Sequence, residues 1–178
     1  MTEIIWCGRG GQGAFTAAKL LGAAYALRNE NSFSLAFPSF GPERRGAPVR
    51  AFSKLNDEPI GNRSEIEKAD YIVYLDETLF SDNAFSKLKP DGKILLNTRH
   101  RFDDDRIVTI DGTALALEIL KLPITNTIML GAFTVMYGEI SLVDTEEAIR
   151  RYMPSKLHEV NITAVRQAAA AVRKEAIG

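Results

Sequence analysis

Short apolar runs and helix-like stretches alternate along this chain. Residues 4–7 and 71–75 are continuous apolar runs, and the second run is bounded by two aspartates. Runs of this length and composition are typical of strands buried in a parallel sheet. Each run is followed by a stretch with the apolar spacing of a helix, at 14–26 and at 79–88. The alternation predicts an α/β fold, namely a Rossmann-like three-layer domain with a mostly parallel sheet and helices on both faces.

The remaining periodic segments extend the same pattern. Further strands are predicted at 33–37, 49–55, 93–97 and 107–110, and further helices at 113–122, 128–138, 145–152 and 162–176. Asp144 and Glu147 have the spacing of a capping box at the start of the helix at 145–152. The helix at 128–138 is apolar nearly all round, which predicts burial in the core or against another subunit. No linker or repeat interrupts the chain, so residues 1–178 are expected to form a single domain.

Composition and charge narrow the range of partners. Lys and Arg total 22 against 23 acidic residues, so no bulk attraction to nucleic acid or to a membrane is expected. The longest nearly uncharged apolar run, at 128–137, is about half the length of a membrane span. No secretory signal is recognisable at the start of the chain. We therefore expect a cytoplasmic protein with neither a nucleic-acid nor a membrane partner.

The single cysteine, Cys7, lies in the first predicted strand. One cysteine can form neither an internal disulfide nor the ligand set of an iron–sulfur cluster. We expect Cys7 to pack in the core, and the alternative is a redox role.

Six residues between the first predicted strand and helix carry the main ligand-binding pattern. They are Gly8, Arg9, Gly10, Gly11, Gln12 and Gly13, whose glycines have the Gly-x-Gly-x-x-Gly spacing of dinucleotide-binding folds. Glycine allows a positive φ, and it lets backbone amides approach a phosphate without a Cβ in between. The helix N-terminus adds partial positive charge. The pattern predicts an anionic ligand or cofactor at this turn; the alternative is a tight turn that needs glycine only for packing.

An ordinary NAD site also requires an acidic residue about 20 positions after the glycines, where it binds the ribose. The predicted second strand ends in Leu35, Ala36, Phe37 and Pro38, without an acid. This difference counts against NAD and favours another anion, or none.

The segment 38–49 is the second candidate for a binding function. It contains three prolines and two glycines, which disfavour regular structure and indicate a stiff loop. The loop carries Phe40, Arg44 and Arg45. Guanidinium groups on a rigid loop suit the recognition of an anion or of a partner surface. The alternative is an exposed loop whose arginines form weak surface salt bridges.

Motifs for self-sufficient catalysis are missing. The sequence has no Gly-x-Ser-x-Gly elbow, no phosphate loop of the Gly-x-x-x-x-Gly-Lys-Ser/Thr type, and no metal-ligand spacing of His or Cys. Its two histidines, His100 and His158, stand in polar or helical-surface settings where no acid–base triad can be drawn. No catalytic or metal-binding residue is therefore predicted, and a ligand-positioning or partner-binding role is favoured.

Three stretches taken together resemble a known family. They are the glycine turn at 8–13, the segment 40–49, and Asn126 with residues 129–132. In this order and at this chain length they resemble the gamma subunit of 2-oxoacid:ferredoxin oxidoreductases, most of all the pyruvate type (pyruvate synthase). The resemblance implies an enzyme complex that converts pyruvate to acetyl-CoA by oxidative decarboxylation and passes electrons to ferredoxin. It also implies that this chain is not catalytic alone.

The resemblance further implies cofactors and partners. Thiamine diphosphate, magnesium and iron–sulfur clusters are expected on the alpha, beta and delta subunits, with coenzyme A as co-substrate. The turn from Gly8 to Gly13 would face the coenzyme A phosphates, and Arg44 and Arg45 would contact the same ligand or a partner subunit. The 2-oxoisovalerate, 2-oxoglutarate and indolepyruvate enzymes of the family stay open as alternatives. So does a stand-alone nucleotide-binding regulator or dehydrogenase.

Overall fold

The computed structural model describes residues 1–39 and 45–175. The strands are β1 (Thr2–Arg9), β2 (Phe33–Pro38), β3 (Pro48–Asn56), β4 (Ala69–Tyr74), β5 (Leu88–Asn97) and β6 (Ile107–Ile110). The α-helices are α1 (Ala14–Ala26), α2 (Gly112–Ile119), α3 (Asn126–Tyr137), α4 (Leu142–Tyr152) and α5 (His158–Glu175). Helix α1 and strand β6 begin and end at the residues that the sequence pattern predicts.

The strands form one sheet in the order β2-β3-β1-β4-β5-β6. Strands β1, β4, β5 and β6 are parallel neighbours, whereas β3 runs antiparallel to both β1 and β2. Every strand except β3 therefore points the same way. This arrangement confirms the α/β class and the mostly parallel sheet. It also explains the apolar runs of β1 and β4, since both strands are covered on both faces.

Helices cover both faces of the sheet, but the two layers differ in kind. The five α-helices of the described ranges pack on one face, where the Trp6 and Phe133 rings lie 5.6 Å apart in the larger core. The opposite face carries a smaller core around Phe52. Two 3₁₀ helices, Glu77–Leu79 and Asp82–Lys87, lie over this second face.

The 3₁₀ helices stand where the sequence pattern predicts an α-helix at 79–88. Polar side chains of this region bond to nearby backbone instead. Asp76 Oδ1 accepts from Thr78 N–H at 3.0 Å, and Ser86 Oγ donates to Asn83 O at 2.7 Å. Such local bonds compete with the i→i−4 bonds of an α-helix. The α-helix prediction is wrong here for this reason.

Helix α4 begins three residues before the predicted start. Its N-cap is Ser141, whose Oγ accepts from Asp144 N–H at 3.0 Å and donates to Asp144 Oδ2 at 2.6 Å. Ser141 thus caps the helix, and the Asp144 carboxylate holds the capping hydroxyl in place. The predicted box of Asp144 and Glu147 is wrong, because Ser141 supplies a favourable N-cap hydroxyl almost one turn earlier.

Helix α3 is buried over most of its length, as its apolar composition predicts. Residues 126–134 are all buried. The helix crosses α5 so closely that a Cβ on Gly131 would overlap the backbone of Val165, so the crossing requires glycine. Within the described ranges, no helix is long and apolar enough to cross a bilayer.

The Cys7 thiol lies in the smaller core. Burial raises the pKa of this thiol to about 11, although the positive charges of Lys87 and Arg50 act in the opposite direction. The thiol is therefore protonated at neutral pH. Its state fits the predicted packing role better than a redox role.

The turn after α2 contains a strained residue. Helix α2 ends at Ile119, earlier than predicted, and Lys121 follows with a φ of 58°. This left-handed conformation is unfavourable for residues with a Cβ. We predict that Lys121→Gly is about 1 kcal/mol more stable than Lys121→Ala, because only glycine relieves the strain. Urea unfolding of the two variants measures the difference, and equal stabilities would contradict it.

Candidate ligand-binding site at the glycine turn

The glycine turn joins β1 to α1 and needs glycine at two positions. Gly11 has a φ of 97°, and Gly13, the N-cap residue of α1, has a φ of 82°. Residues with a Cβ rarely adopt these conformations. A Cβ on Gly13 would in addition lie 2.5 Å from Asn126 Nδ2. The fold therefore requires these glycines whether or not a ligand binds at the turn.

A polar cluster braces the turn from the end of β4. Asp76 Oδ2 accepts hydrogen bonds from Arg9 Nε and from Gln12 Nε2, both at 3.2 Å. Arg9 Nη2 donates to Thr78 Oγ1 at 2.8 Å, and Gln12 Oε1 accepts from the Arg9 backbone N–H at 2.7 Å. Through these bonds the Arg9 and Gln12 side chains fix the shape of the turn. A direct contact of either side chain with a ligand stays a prediction.

The bonds to Asp76 keep its carboxylate charged. Burial by itself would raise the pKa of Asp76, but the bonds from the Thr78 side chain and backbone, the bond from Gln12 and the charge of Arg9 outweigh it. The pKa of Asp76 therefore lies below its usual value. The side chain is only 16% exposed, so water screens its interaction with Arg9 weakly.

The backbone next to Arg45 is bonded to the turn. Gly10 N–H donates to Ala47 O at 2.8 Å, and Gly46 N–H donates to Gly10 O at 3.1 Å. Arg9 Nη1 adds a bond to Gly46 O at 3.1 Å. The exposed Arg45 therefore lies beside Gly10, as a shared anion site requires.

The first turn of α1 presents free backbone donors. In the described part of the chain, the N–H groups of Gly11, Gly13 and residues 14–16 form no hydrogen bond. Gly13 has no side chain to cap the helix, and the first turn contains no acidic residue. Helix α2 differs, because Asp111 Oδ1 accepts from Ala114 N–H at 2.9 Å. The N-terminus of α1 is therefore an uncapped region of partial positive charge.

The N-terminus of α3 meets the same turn. Its N-cap residue, Thr125, does not cap the helix, and Thr125 Oγ1 donates to Leu75 O at 3.3 Å. Asn126 is 8% exposed, accepts from Thr127 N–H through Oδ1 at 2.9 Å, and turns its Nδ2 toward Gly13. This Nδ2 has no acceptor among the residues that the structure describes. Two helix N-termini whose N-cap residues form no side-chain cap, together with the Asn126 amide, thus converge on the turn.

Two concave spaces open beside the turn. The turn pocket, of about 200 Å³, is lined by Gly11, Gly13, Phe15 and Thr16 among others. The edge cavity, of about 490 Å³, lies across Gln12 at the carboxyl ends of β4, β5 and β6. This is the edge of a parallel sheet where α/β folds bind ligands.

Most of the predicted site residues lie together. Gly8 and Arg9 end strand β1, Gly10 to Gly13 form the turn, and Arg45 lies beside it. Arg44, like residues 40–43, lies outside the described residues. Ligand binding by any of these residues stays a prediction at this point.

Asn126, Asp76 and Thr78 also shape the site, although the sequence does not predict them as site residues. Asn126 carries a signal, since it belongs to one of the three stretches of the family resemblance, but nothing there indicates contact with Gly13. Asp76 and Thr78 follow the end of an apolar strand. That position is common to many residues and does not single them out.

Comparison with known proteins assigns the family. The model of the pyruvate ferredoxin/flavodoxin oxidoreductase family matches residues 3–171. This chain belongs to that family. It is similar to pyruvate synthase subunit PorC of Methanothermobacter marburgensis, with 48% identity over 93% of this chain and 94% of that protein. The common gamma subunit of the pyruvate/ketoisovalerate oxidoreductases of Thermococcus litoralis is 40% identical over 94% of this chain and 95% of its own length.

Solved structures share the fold. The crystal structure of pyruvate oxidoreductase subunit PORC from Thermotoga maritima matches with a TM-score of 0.81 and 34% identity, over 96% of both chains. The 2-oxoglutarate:ferredoxin oxidoreductase from Magnetococcus marinus was solved with 2-oxoglutarate, coenzyme A and succinyl-CoA bound. It matches with a TM-score of 0.78 and 17% identity, over 97% of this chain and 31% of that one, a likeness that shows the fold alone.

These relatives confirm the resemblance carried by the three sequence stretches. The chain is a gamma subunit of a pyruvate/2-oxoacid:ferredoxin oxidoreductase complex. The enzymatic activity belongs to that complex. The relatives give no support to a stand-alone regulator or dehydrogenase.

The bracing of the turn predicts a pH-dependent effect of Asp76→Asn. A carboxyl group whose pKa is lowered by folding stabilises the protein fully above its unfolded pKa of about 3.9, and this contribution is lost as the pH falls through the folded value. We expect Asp76→Asn to lower the free energy of unfolding by about 1–2 kcal/mol at pH 7. The deficit should shrink as the pH falls below about 4. Denaturant unfolding at neutral and acid pH measures both effects.

Asp91→Asn is the matched control, since Asp91 is exposed on β5 away from the turn. This control should leave the free energy of unfolding almost unchanged at neutral pH. A deficit of Asp76→Asn that is the same at every pH would contradict a charged Asp76 as the brace.

Proposed function

We propose that this chain binds coenzyme A in a complex that oxidatively decarboxylates pyruvate to acetyl-CoA. Electrons pass to ferredoxin, and the chain assembles with alpha, beta and delta subunits. The pyruvate synthase subunits among its relatives support this assignment. This chain binds and orients coenzyme A, while the catalytic residues belong to its partner subunits.

Thiamine diphosphate, magnesium and the iron–sulfur clusters lie on partner subunits in this proposal. A cluster is held by several cysteine thiolates, whereas the only cysteine here is Cys7, which is buried. Among the described residues, no three His, Cys, Asp or Glu side chains are grouped as metal ligands would be. The side chains that the structure describes therefore offer no ligand set for a metal or a cluster.

The observation that carries the proposal is the pair of uncapped helix N-termini at the glycine turn. The free N–H groups of α1 can donate to phosphate oxygens, and Asn126 Nδ2 adds a donor from α3. A helix N-terminus stabilises an anion by about 0.3–2 kcal/mol. Coenzyme A offers a diphosphate and a further phosphate as anionic groups. The Magnetococcus marinus enzyme, which contains the same fold, binds coenzyme A.

The residues of the turn take distinct roles in this proposal. Within the stretch from Gly8 to Gly13, the free N–H groups of Gly11 and Gly13 contact the phosphate, and the Arg9 and Gln12 side chains hold the backbone in place. Arg45, exposed beside Gly10, adds a charge-assisted contact to the phosphate or to a partner subunit. Arg44 is proposed for the same role.

The choice of oxoacid lies outside this chain. The Thermococcus litoralis relative is named as common to pyruvate and ketoisovalerate oxidoreductases, so one gamma subunit serves two substrates there. A branched-chain oxoacid is therefore the second candidate substrate of the complex. No feature of the turn favours 2-oxoglutarate or indolepyruvate.

Purification of the tagged chain from its native host, without oxygen, tests the proposed function. We expect three further subunits, the visible absorbance of iron–sulfur clusters, and coenzyme A-dependent oxidation of pyruvate. Preferential oxidation of 2-oxoisovalerate would favour the second candidate. A preparation that oxidises only 2-oxoglutarate or indolepyruvate would overturn both.

A negative charge in the first turn of α1 tests the coenzyme A contact. Thr16 lines the turn pocket and is half-buried. Glutamate at this position stabilises α1 through the helix dipole but repels a phosphate bound at the same end. We predict that Thr16→Glu raises the KM of the assembled complex for coenzyme A about five-fold, a change of about 1 kcal/mol, and leaves the KM for pyruvate unchanged.

Thr16→Gln is the matched control, because glutamine has the size of glutamate without its charge. We expect its KM for coenzyme A to stay close to that of the wild type. The same KM for the glutamate and glutamine variants would show that no phosphate binds at this helix end.

A further inference from the structure

A third cavity lies on the face of the sheet opposite the α-helices. It measures about 630 Å³ and lies between the segment 62–68, strand β3 and the start of β1. Four of its ten lining residues are basic, three are acidic, and Ile66 is the only apolar one. We call it the lysine cavity, after Lys54, Lys68 and Lys87. Its polar lining excludes a hydrophobic ligand.

Lys54 is the most buried residue of the lysine cavity. Its side chain is 1% exposed, and its Nζ lies 3.6 Å from Glu3 Oε1. That distance is too long for a hydrogen bond. Lys54 Nζ donates no hydrogen bond to any residue in the ranges described. The Lys54 Nζ therefore has N–H donors left for an oxygen atom supplied from the cavity.

The Glu3 and Glu65 carboxylates, which line the cavity, also pair with other groups. Glu3 is shared, because its Oε2 lies 3.2 Å from Lys89 Nζ. Glu65 accepts from Ser39 Oγ at 2.6 Å and pairs with Arg50 at 3.4 Å. Glu65 is therefore engaged elsewhere, and Glu3 offers Lys54 only the 3.6 Å contact of its Oε1.

Two further lysines add positive charge to the walls. Lys68 and Lys87 line the cavity, and within the described part of the chain neither forms a salt bridge. Glu67 is the one remaining acid of the lining. The cavity therefore keeps an excess of positive charge, which water alone does not neutralise.

We propose that the lysine cavity binds a phosphate-type oxyanion. Lys54 Nζ donates to the anion from the buried side, and Lys68 and Lys87 donate from the walls. Several oxygen atoms on one charged group satisfy these donors together. The site is distinct from the turn pocket, although Arg50 lines both spaces. The anion is either free phosphate or the phosphate group of a nucleotide.

The thermal stability of the full-length chain in near-saturating inorganic phosphate, at constant ionic strength, tests this site. A ligand that binds only the folded state raises the Tm, here by about 2–4 °C. We expect this gain in the wild type and its loss in Lys54→Met. Lys87→Met should lose the gain as well, and it keeps the test decisive if Lys54→Met fails to fold.

Lys156→Met is the matched control, because Lys156 is exposed and lies outside the cavity. It should keep the full gain in Tm. A second arm replaces phosphate with AMP, and a larger gain with AMP than with phosphate assigns the anion to a nucleotide. Equal gains in all variants, or no gain with either compound, would overturn the proposal and leave a cavity filled by water.

Discussion

The open N-terminus of α1 is the constraint on which the rest of the site depends. Backbone N–H groups at a helix start need a partner, and side-chain caps usually provide it. Asp111 and Ser141 do so for α2 and α4, whereas α1 and α3 have no side-chain cap. Both α1 and α3, whose N-cap residues form no such bond, begin next to the glycine turn. Their unsatisfied donors are therefore concentrated where an anion is proposed to bind.

The surrounding structure holds that helix end in place. Asp76 ties the Arg9 and Gln12 side chains to the end of β4, and Gly10 is bonded to the backbone at 46–47. The parallel pairing of β1 with β4 makes this possible, because the carboxyl ends of parallel strands meet at one edge. The free amides are thus in position before a ligand arrives. Such preorganisation lowers the entropic cost of binding.

The sequence predicts the secondary-structure elements that depend on a local pattern of apolar residues and glycines. Its predictions are wrong where side-chain hydrogen bonds or contacts between distant residues determine the structure. Helix α1 follows from its apolar period behind the glycines, but the bonds of Asp76 and Ser86 replace an expected α-helix with 3₁₀ turns. The antiparallel direction of β3 could not be predicted, because an alternating pattern indicates a strand and not its direction. The same holds for the residues of the candidate site. Glycine spacing reveals the turn, whereas the approach of Asn126 to Gly13 depends on how α3 packs.

Hydrogen–deuterium exchange of the assembled complex, with and without coenzyme A, tests most directly that the uncapped start of α1 binds the coenzyme. Amides without a hydrogen-bond partner exchange rapidly, so those of Gly11 and residues 13–16 should be fast in the absence of coenzyme A. We expect coenzyme A to slow exchange in this segment and to leave β6 unchanged as an internal reference. Unchanged exchange at 11–16 in a complex saturated with coenzyme A would place the phosphates elsewhere and contradict the role assigned to the turn.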